Sequence, residues 1–142
     1  MTAIYQPPEL AEIRQLLGRI QRIAVIGISA KTSRPSRRVA SAMQSFGYQI
    51  VPVRPGISEV LGEQAYASLT QVPGTIDLVN VFRAPQHVDA IVDDCIDRNI
   101  AAIWLQDGVI NEPAAARAQQ AGLFVVMDRC IYRDYLQLGM AD

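Results

Sequence analysis

Apolar and polar positions alternate along this chain in two rhythms, one helical and one of short unbroken runs. Leu10, Ile13, Leu16 and Leu17 recur at helical spacing, which predicts a short helix from Glu9 to its end at Gly18. Ile23-Ala24-Val25-Ile26 follows Arg22 without a polar break and stops at Gly27, as a strand buried on both faces does. After a polar loop, Pro35 opens a second helix, and Val39, Ala42, Met43 and Phe46 give it an apolar face up to Gly47. Tyr48 to Val53 is the second strand, with Pro52 near its end.

The pattern then repeats. Ile76 to Phe82 reads as the third strand, followed by a helix from near Pro85 to about Arg98 with Val88, Ile91, Val92 and Cys95 on one face. Ile100 to Leu105 is the fourth strand, Glu112 to Gln120 a helix, and Leu123 to Met127 the fifth strand. Ile131 to Leu138 closes the chain as a short helix.

Buried strands alternating with helices predict an α/β fold with right-handed crossovers. The expectation is one Rossmann-like, three-layer αβα domain over residues 1–142, preceded by a helical segment at 1–20. Its parallel sheet is expected to have five strands in the order 3-2-1-4-5. In such sheets the ligand sits beyond the carboxyl ends of the strands, beside the first strand, where the order changes direction. Four loops reach that edge: Gly27 to Ser36, Val53 to Pro55, Phe82 to Pro85, and Trp104 to Gly108.

Composition narrows the class. Half of the 142 residues are hydrophobic and 19% are charged, which suits a globule rather than a disordered chain. The longest apolar runs are too short to cross a bilayer. Residues 1–18 lack a basic stretch followed by an apolar one, so no secretory signal is expected. Two cysteines, Cys95 and Cys130, make no disulfide framework, and a reduced, cytoplasmic setting is the expectation.

Net charge is only −1, but it is unevenly spread. No acidic residue lies between Glu12 and Glu59, whereas Arg14, Arg19, Arg22, Lys31, Arg34, Arg37, Arg38 and Arg54 all do. That asymmetry is either a solvated basic face or a field for an anionic ligand. Nucleic acid is not the expected partner, because no aromatic or recognition-helix pattern is interleaved with the charges.

The first loop, Gly27-Ile28-Ser29-Ala30-Lys31-Thr32-Ser33-Arg34-Pro35-Ser36, is the richest candidate. Gly27 lets the chain turn close to a ligand, and the helix start behind it offers free N–H groups at the positive end of a dipole. Hydroxyls at Ser29, Ser33 and Ser36 and charges at Lys31 and Arg34 suit a pyrophosphate. The loop carries a single glycine, not the full G-x-G-x-x-G fingerprint. In the second loop, Val53-Arg54-Pro55, arginine stands where NAD folds carry an acid, which points to a ribose bearing a further phosphate, in NADP or coenzyme A.

Other residues carry weaker signals. Trp104 at the end of the fourth strand is either a flat pocket wall or core. Asp107 and Asp128 follow strands and read as turn caps, and His87 as a surface residue. Cys95, Cys130 and His87 lack metal-ligand spacing, and Cys130 reads as a structural thiol. No Ser-His-Asp, Cys-His or paired-carboxylate arrangement emerges, so no catalytic residue is assigned.

Several stretches, in order, resemble a known family. They are Ala24-Val25-Ile26-Gly27 with Arg34-Pro35-Ser36, Gly47-Tyr48 with Val51-Pro52-Val53, and Glu59-Val60-Leu61-Gly62. Ile76-Asp77, Val81-Phe82-Arg83, Trp104-Leu105-Gln106, Asn111-Glu112, Ala121-Gly122-Leu123 and Val126-Met127-Asp128-Arg129-Cys130 continue the set. In these the chain resembles the small stand-alone CoA-binding proteins, which are similar to the N-terminal CoA-binding domain of the succinyl-CoA synthetase alpha chain.

The resemblance implies a non-catalytic binder of coenzyme A or an acyl-CoA. Gly27, Ser29, Lys31, Arg34 and Ser36 would hold phosphates, with Ile28 and Pro35 completing their loop. Val53, Arg54 and Pro55 would lie by the adenosine end, while Phe82, Arg83 and Trp104 would flank the pantetheine. Two positions depart from the family pattern: Arg54 stands where asparagine is common, and Asp134-Tyr135 where Glu-His is. The synthetase's phosphorylated histidine belongs to a second domain, so ligase activity is not expected. An NADP-dependent oxidoreductase and a vestigial nucleotide-fold interaction protein are the alternatives, and a homodimer is left open.

Overall fold

Strand β1 (Arg22–Ile26) is the axis of the molecule, hydrogen-bonded to a parallel neighbour on each side. In chain order the elements are α1 (Leu10–Arg19), β1, α2 (Pro35–Ser45), β2 (Gln49–Val53), β3 (Glu59–Val60), β4 (Glu63–Gln64), β5 (Leu78–Val81), α3 (Val88–Asp97), β6 (Ala102–Leu105), α4 (Glu112–Gln120), β7 (Phe124–Met127) and α5 (Ile131–Gln137). The computed structural model describes residues 4–140.

The main sheet has five parallel strands in the order β2-β1-β5-β6-β7 and is Rossmann-like. One strand identity differs from expectation. Leu78–Val81, third of the five long strands in the chain, pairs with β1 rather than outside β2. The place outside β2 is taken by Tyr66, whose single parallel bridge to Val53 is flanked by bonds from Tyr66 N–H to the Pro52 carbonyl (3.0 Å) and from Arg54 N–H to the Tyr66 carbonyl (2.8 Å). With that rung in the third place the order 3-2-1-4-5 holds, and β7 continues the sheet. The rung is too short to leave a hydrophobic run in the sequence.

Alternation along the strands sends side chains to two cores. Ala24, Ile26, Val79, Val81, Ile103 and Leu105 face Val88, Ile91, Val92 and Cys95 of α3 and the alanines of α4. Ile23, Val25, Leu78, Trp104 and Val126 face Leu16 and Leu17 of α1, Val39 and Met43 of α2, and Ile131 of α5. Helices thus cover both faces, as continuous apolar strands require.

Boundaries shift by a residue or two. α1 runs through Gly18 to Arg19 and stops because Ile20 turns extended to enter the core. The helix expected from Pro85 splits into a 3-10 turn, Pro85–His87, and α3. β3 and β4 form an unforeseen hairpin whose turn residues, Leu61 and Gly62, have φ of 57° and 75°. Two-residue strands carry no periodicity to detect.

Candidate functional site

The ends of β1, β2 and β5 share one edge. Ile26 pairs with both Val53 and Val81, Gly27 N–H donates to the Val53 carbonyl (3.0 Å), and Phe82 N–H to the Ile26 carbonyl (2.8 Å). The chain leaves all three strands together, and a cleft of about 1040 Å³ opens above them. Gly27, Ser29, Lys31, Arg34, Pro35 and Ser36 line it from the first loop, Val53, Arg54 and Pro55 from the second, and Phe82 and Arg83 from the third.

Hydrogen bonds within the first loop set its shape. Ser36 Oγ, on a largely buried side chain, accepts the Ser29 N–H at 2.9 Å, and Ser29 Oγ accepts the Lys31 N–H at 3.1 Å. Each hydroxyl keeps its own proton to donate elsewhere. α2 begins with Pro35 in its first turn, has no side-chain cap and carries no acid in that turn. Its positive end is therefore unneutralised and faces the cleft.

The cleft's cations are also uncommitted. Lys31, Arg34 and Arg54 are exposed and Arg83 half-buried, and none forms an ion pair among the described residues. Arg54 Nη1 makes only a long contact, 3.4 Å, to the Ile28 carbonyl. Such charges, beside the one N–H of the first turn of α2 that is free among the described residues, that of Ser36, suit a phosphate group: Pro35 has no N–H and those of Arg37 and Arg38 donate to the Arg34 carbonyl.

The far wall was not legible in advance. Ile57, Ala67, Ser68 and Leu69 come from the segment around β3 and β4, and Ala90, Ile91 and Asp94 from α3. Burial, then the charges of Asp97 and Asp93, hold the Asp94 carboxyl above the usual carboxylate range. His87 is exposed, as expected, but stands on the rim of the cleft.

Two expected site residues lie elsewhere. Trp104 is 0% exposed, and its Nε1–H donates to the Arg129 carbonyl at 2.8 Å. It sits on β6, between Asn80 and Val126, with its side chain in the core under α1, α2 and α5 rather than in the cleft. Ile28 is likewise 0% exposed and packs into that core, so only its backbone belongs to the loop.

The weaker candidates resolve as scaffolding. Asp128, at φ 60°, accepts the Gly108 N–H on Oδ1 at 2.7 Å. Asp107 makes a two-pronged bond to Arg133 (2.8 and 2.9 Å), which holds its carboxyl below the usual range. Asp134, 1% exposed, is bound to Arg129 at 2.6 and 2.9 Å, so the departure at Asp134-Tyr135 builds a buried ion pair. Cys130 packs against the core that holds Trp104. Among the described residues no three His, Cys, Asp or Glu side chains group to hold a metal, and no helix is long and apolar enough to cross a membrane.

The chain is similar to known proteins. The uncharacterised protein YneT of Bacillus subtilis is 41% identical over 126 residues, 89% of this chain and 93% of that one. A hypothetical protein from Pyrococcus horikoshii superposes with a TM-score of 0.89 at 32% identity, over 94% of this chain and 96% of that one. A dinucleotide-forming acetyl-coenzyme A synthetase from Ca. Korarchaeum cryptofilum, solved with phosphate and ADP, shares the fold at 23% identity and a TM-score of 0.65, over 74% of this chain and 25% of that one. The sequence profile of the CoA binding domain matches residues 21–135, which takes in every strand and all of the cleft's loops. The loops that predicted a phosphate site, the cleft they build and the profile that spans them agree, and the chain belongs to the CoA-binding domain family.

Proposed function

We propose that this protein binds coenzyme A, free or as an acyl-CoA, through its ADP moiety, and that it performs no catalysis of its own. One observation carries the reading: the uncapped start of α2 and four cations, unpaired among the described residues, converge on a cleft whose other wall is mostly apolar. The pyrophosphate rests on Ser29, Lys31, Arg34 and the Ser36 N–H at the start of α2. Arg54 serves a phosphate on the ribose. The base lies against Ala67 and Ala90, and the pantetheine leaves past Phe82 and Arg83. A volume of about 1040 Å³ is at the top of the range of about 300–1,000 Å³ for small-molecule sites, as a long ligand needs.

The proposal of no catalysis rests on the lining. His87 on the rim and Asp94 on α3 are its only histidine and carboxylate, and no cysteine is among them. Titration calorimetry tests the ligand: coenzyme A should bind at least about tenfold more tightly than NADPH, a gap of about 1.4 kcal/mol. Equal or tighter binding of NADPH would overturn the assignment.

A further inference from the structure

Charge is divided along the cleft. Lys31, Arg34, Arg54 and Arg83 sit on the loops that follow β1, β2 and β5, whereas Asp94, the one carboxylate among the lining residues, sits on α3. Ala90 and Asp94 are four residues apart and Ile91 and Asp94 three, so they form one stripe on the helix. Across from it, Ala67, Ser68 and Leu69 supply small or apolar side chains.

Asp94 is half-buried, yet among the described residues its carboxylate has no hydrogen-bond or ion-pair partner. Its neighbours are provided for: Asp89 and Asp93 both pair with Arg117. Arg98, one turn on, directs its guanidinium to the Leu69 and Gly74 carbonyls instead. Burial and two nearby acids disfavour the bare charge. A carboxylate that lines the cleft with no partner of its own is open to a donor on the ligand. A phosphate here would meet like charge. A purine does better, because adenine carries an amino donor at the edge where guanine carries an oxygen.

We propose that Asp94 selects the base of the bound nucleotide, accepting a hydrogen bond from the exocyclic amino group of adenine and repelling a ring that bears oxygen at that position. The inference rests on the reading that the cleft takes coenzyme A, and it adds the residue that decides which base is admitted. Ala67 and Ala90, both exposed in the cleft, offer the ring apolar surface without discriminating between purines. Asp94 is thus a specificity-determining residue rather than a source of bulk affinity.

The test compares coenzyme A with its deaminated analogue, in which hypoxanthine replaces adenine, by titration calorimetry. Wild type should bind coenzyme A about ten- to a hundredfold more tightly, the scale of a hydrogen bond to a charged group. Asp94→Asn, whose amide can also donate, should bring the two ligands to within about threefold, and Asp94→Ala should do the same. Unchanged melting curves for both variants show that the fold is intact. A wild type that binds coenzyme A but does not distinguish the analogue overturns the role of Asp94, as do variants that keep the full preference. A wild type that binds neither ligand overturns the proposed function and this inference together.

Discussion

A Cβ placed on Gly27 would stand 2.6 Å from the Phe82 carbonyl oxygen and 3.0 Å from Cδ of Arg83. The first and third loops are therefore in contact through bare backbone, at a residue whose φ is 86°. Any side chain there pushes the loops apart and strains the turn. Gly27→Ala should cost about 1–2 kcal/mol of stability from the φ alone and weaken coenzyme A by more than about tenfold. Denaturant unfolding and calorimetry measure the two effects. Wild-type affinity in this variant would show that the loops need not touch to hold the ligand.

Ser36 acts one turn further on. Its Oγ holds the Ser29 N–H, so the hydroxyl fixes the loop as well as lining the cleft. Ser36→Ala should lose about 0.5–1.5 kcal/mol of stability together with affinity for coenzyme A. Ser36→Thr keeps the hydroxyl and should retain more of both. Equal affinities for the two variants would show that the hydroxyl is dispensable.

The first loop and Arg54 were legible in the sequence because glycine, hydroxyls and cations clustered where an unbroken apolar run stopped. The far wall was not. Asp94 neighbours the apolar stripe of α3 and looks solvent-facing until the Ala67–Leu69 segment is seen to lie opposite it. That segment depends on the Tyr66 rung, one bridge long, which also hid the true neighbour of β1. Trp104 misled for a related reason. It ends a strand whose tip points to the right edge of the sheet, but the strand's alternation sends the indole into the core.

Asp134 and Arg129 tie the start of α5 to the end of β7. Asp134 is almost wholly buried, while Arg129 is 37% exposed on its side chain, so losing the acid leaves an arginine that water can reach. Asp134→Ala should therefore cost only about 1–3 kcal/mol, the range for a hydrogen bond to a charged group. Arg129→Ala strands a buried carboxylate and should cost more, about 3–5 kcal/mol. Urea unfolding of both variants decides the order, and the reverse order would refute this account of the pair.

Burial pushes the Cys95 thiol up to about 12, with the Asp94 charge adding to the effect. A native thiol whose pKa is raised holds its proton where the unfolded chain has lost it. The resulting stability is complete below about 9 and is lost as pH rises toward about 12. Tyr48, also pushed up to about 12 by burial, acts in the same direction. Cys95→Val should therefore flatten the alkaline fall in stability between pH 9 and 11, measured by denaturant titration. Unfolding curves that fall as steeply in the variant would assign the effect to the tyrosines that burial also raises, Tyr48 and Tyr5.

Arg54 leaves β2 beside Gly27 and is exposed, with one long contact to the Ile28 carbonyl and, among the described residues, no carboxylate partner. Its charge is thus open to the 3′-phosphate that coenzyme A has and dephospho-CoA lacks. A charge-assisted hydrogen bond is worth about 1.5–3 kcal/mol, roughly ten- to a hundredfold in affinity. Wild type should prefer coenzyme A over dephospho-CoA by about that factor, and Arg54→Ala should erase most of the preference. Binding of dephospho-CoA itself should change little, because in the proposed mode Ser29, Arg34 and the start of α2 would still hold the pyrophosphate. Arg54→Lys keeps a charge without the planar fork and should fall between the two. Calorimetry at two salt concentrations adds a check, since an exposed charge pair weakens as salt rises. A full preference retained by Arg54→Ala would move the 3′-phosphate to another cation of the cleft, and Lys31→Ala would then be the variant that loses it.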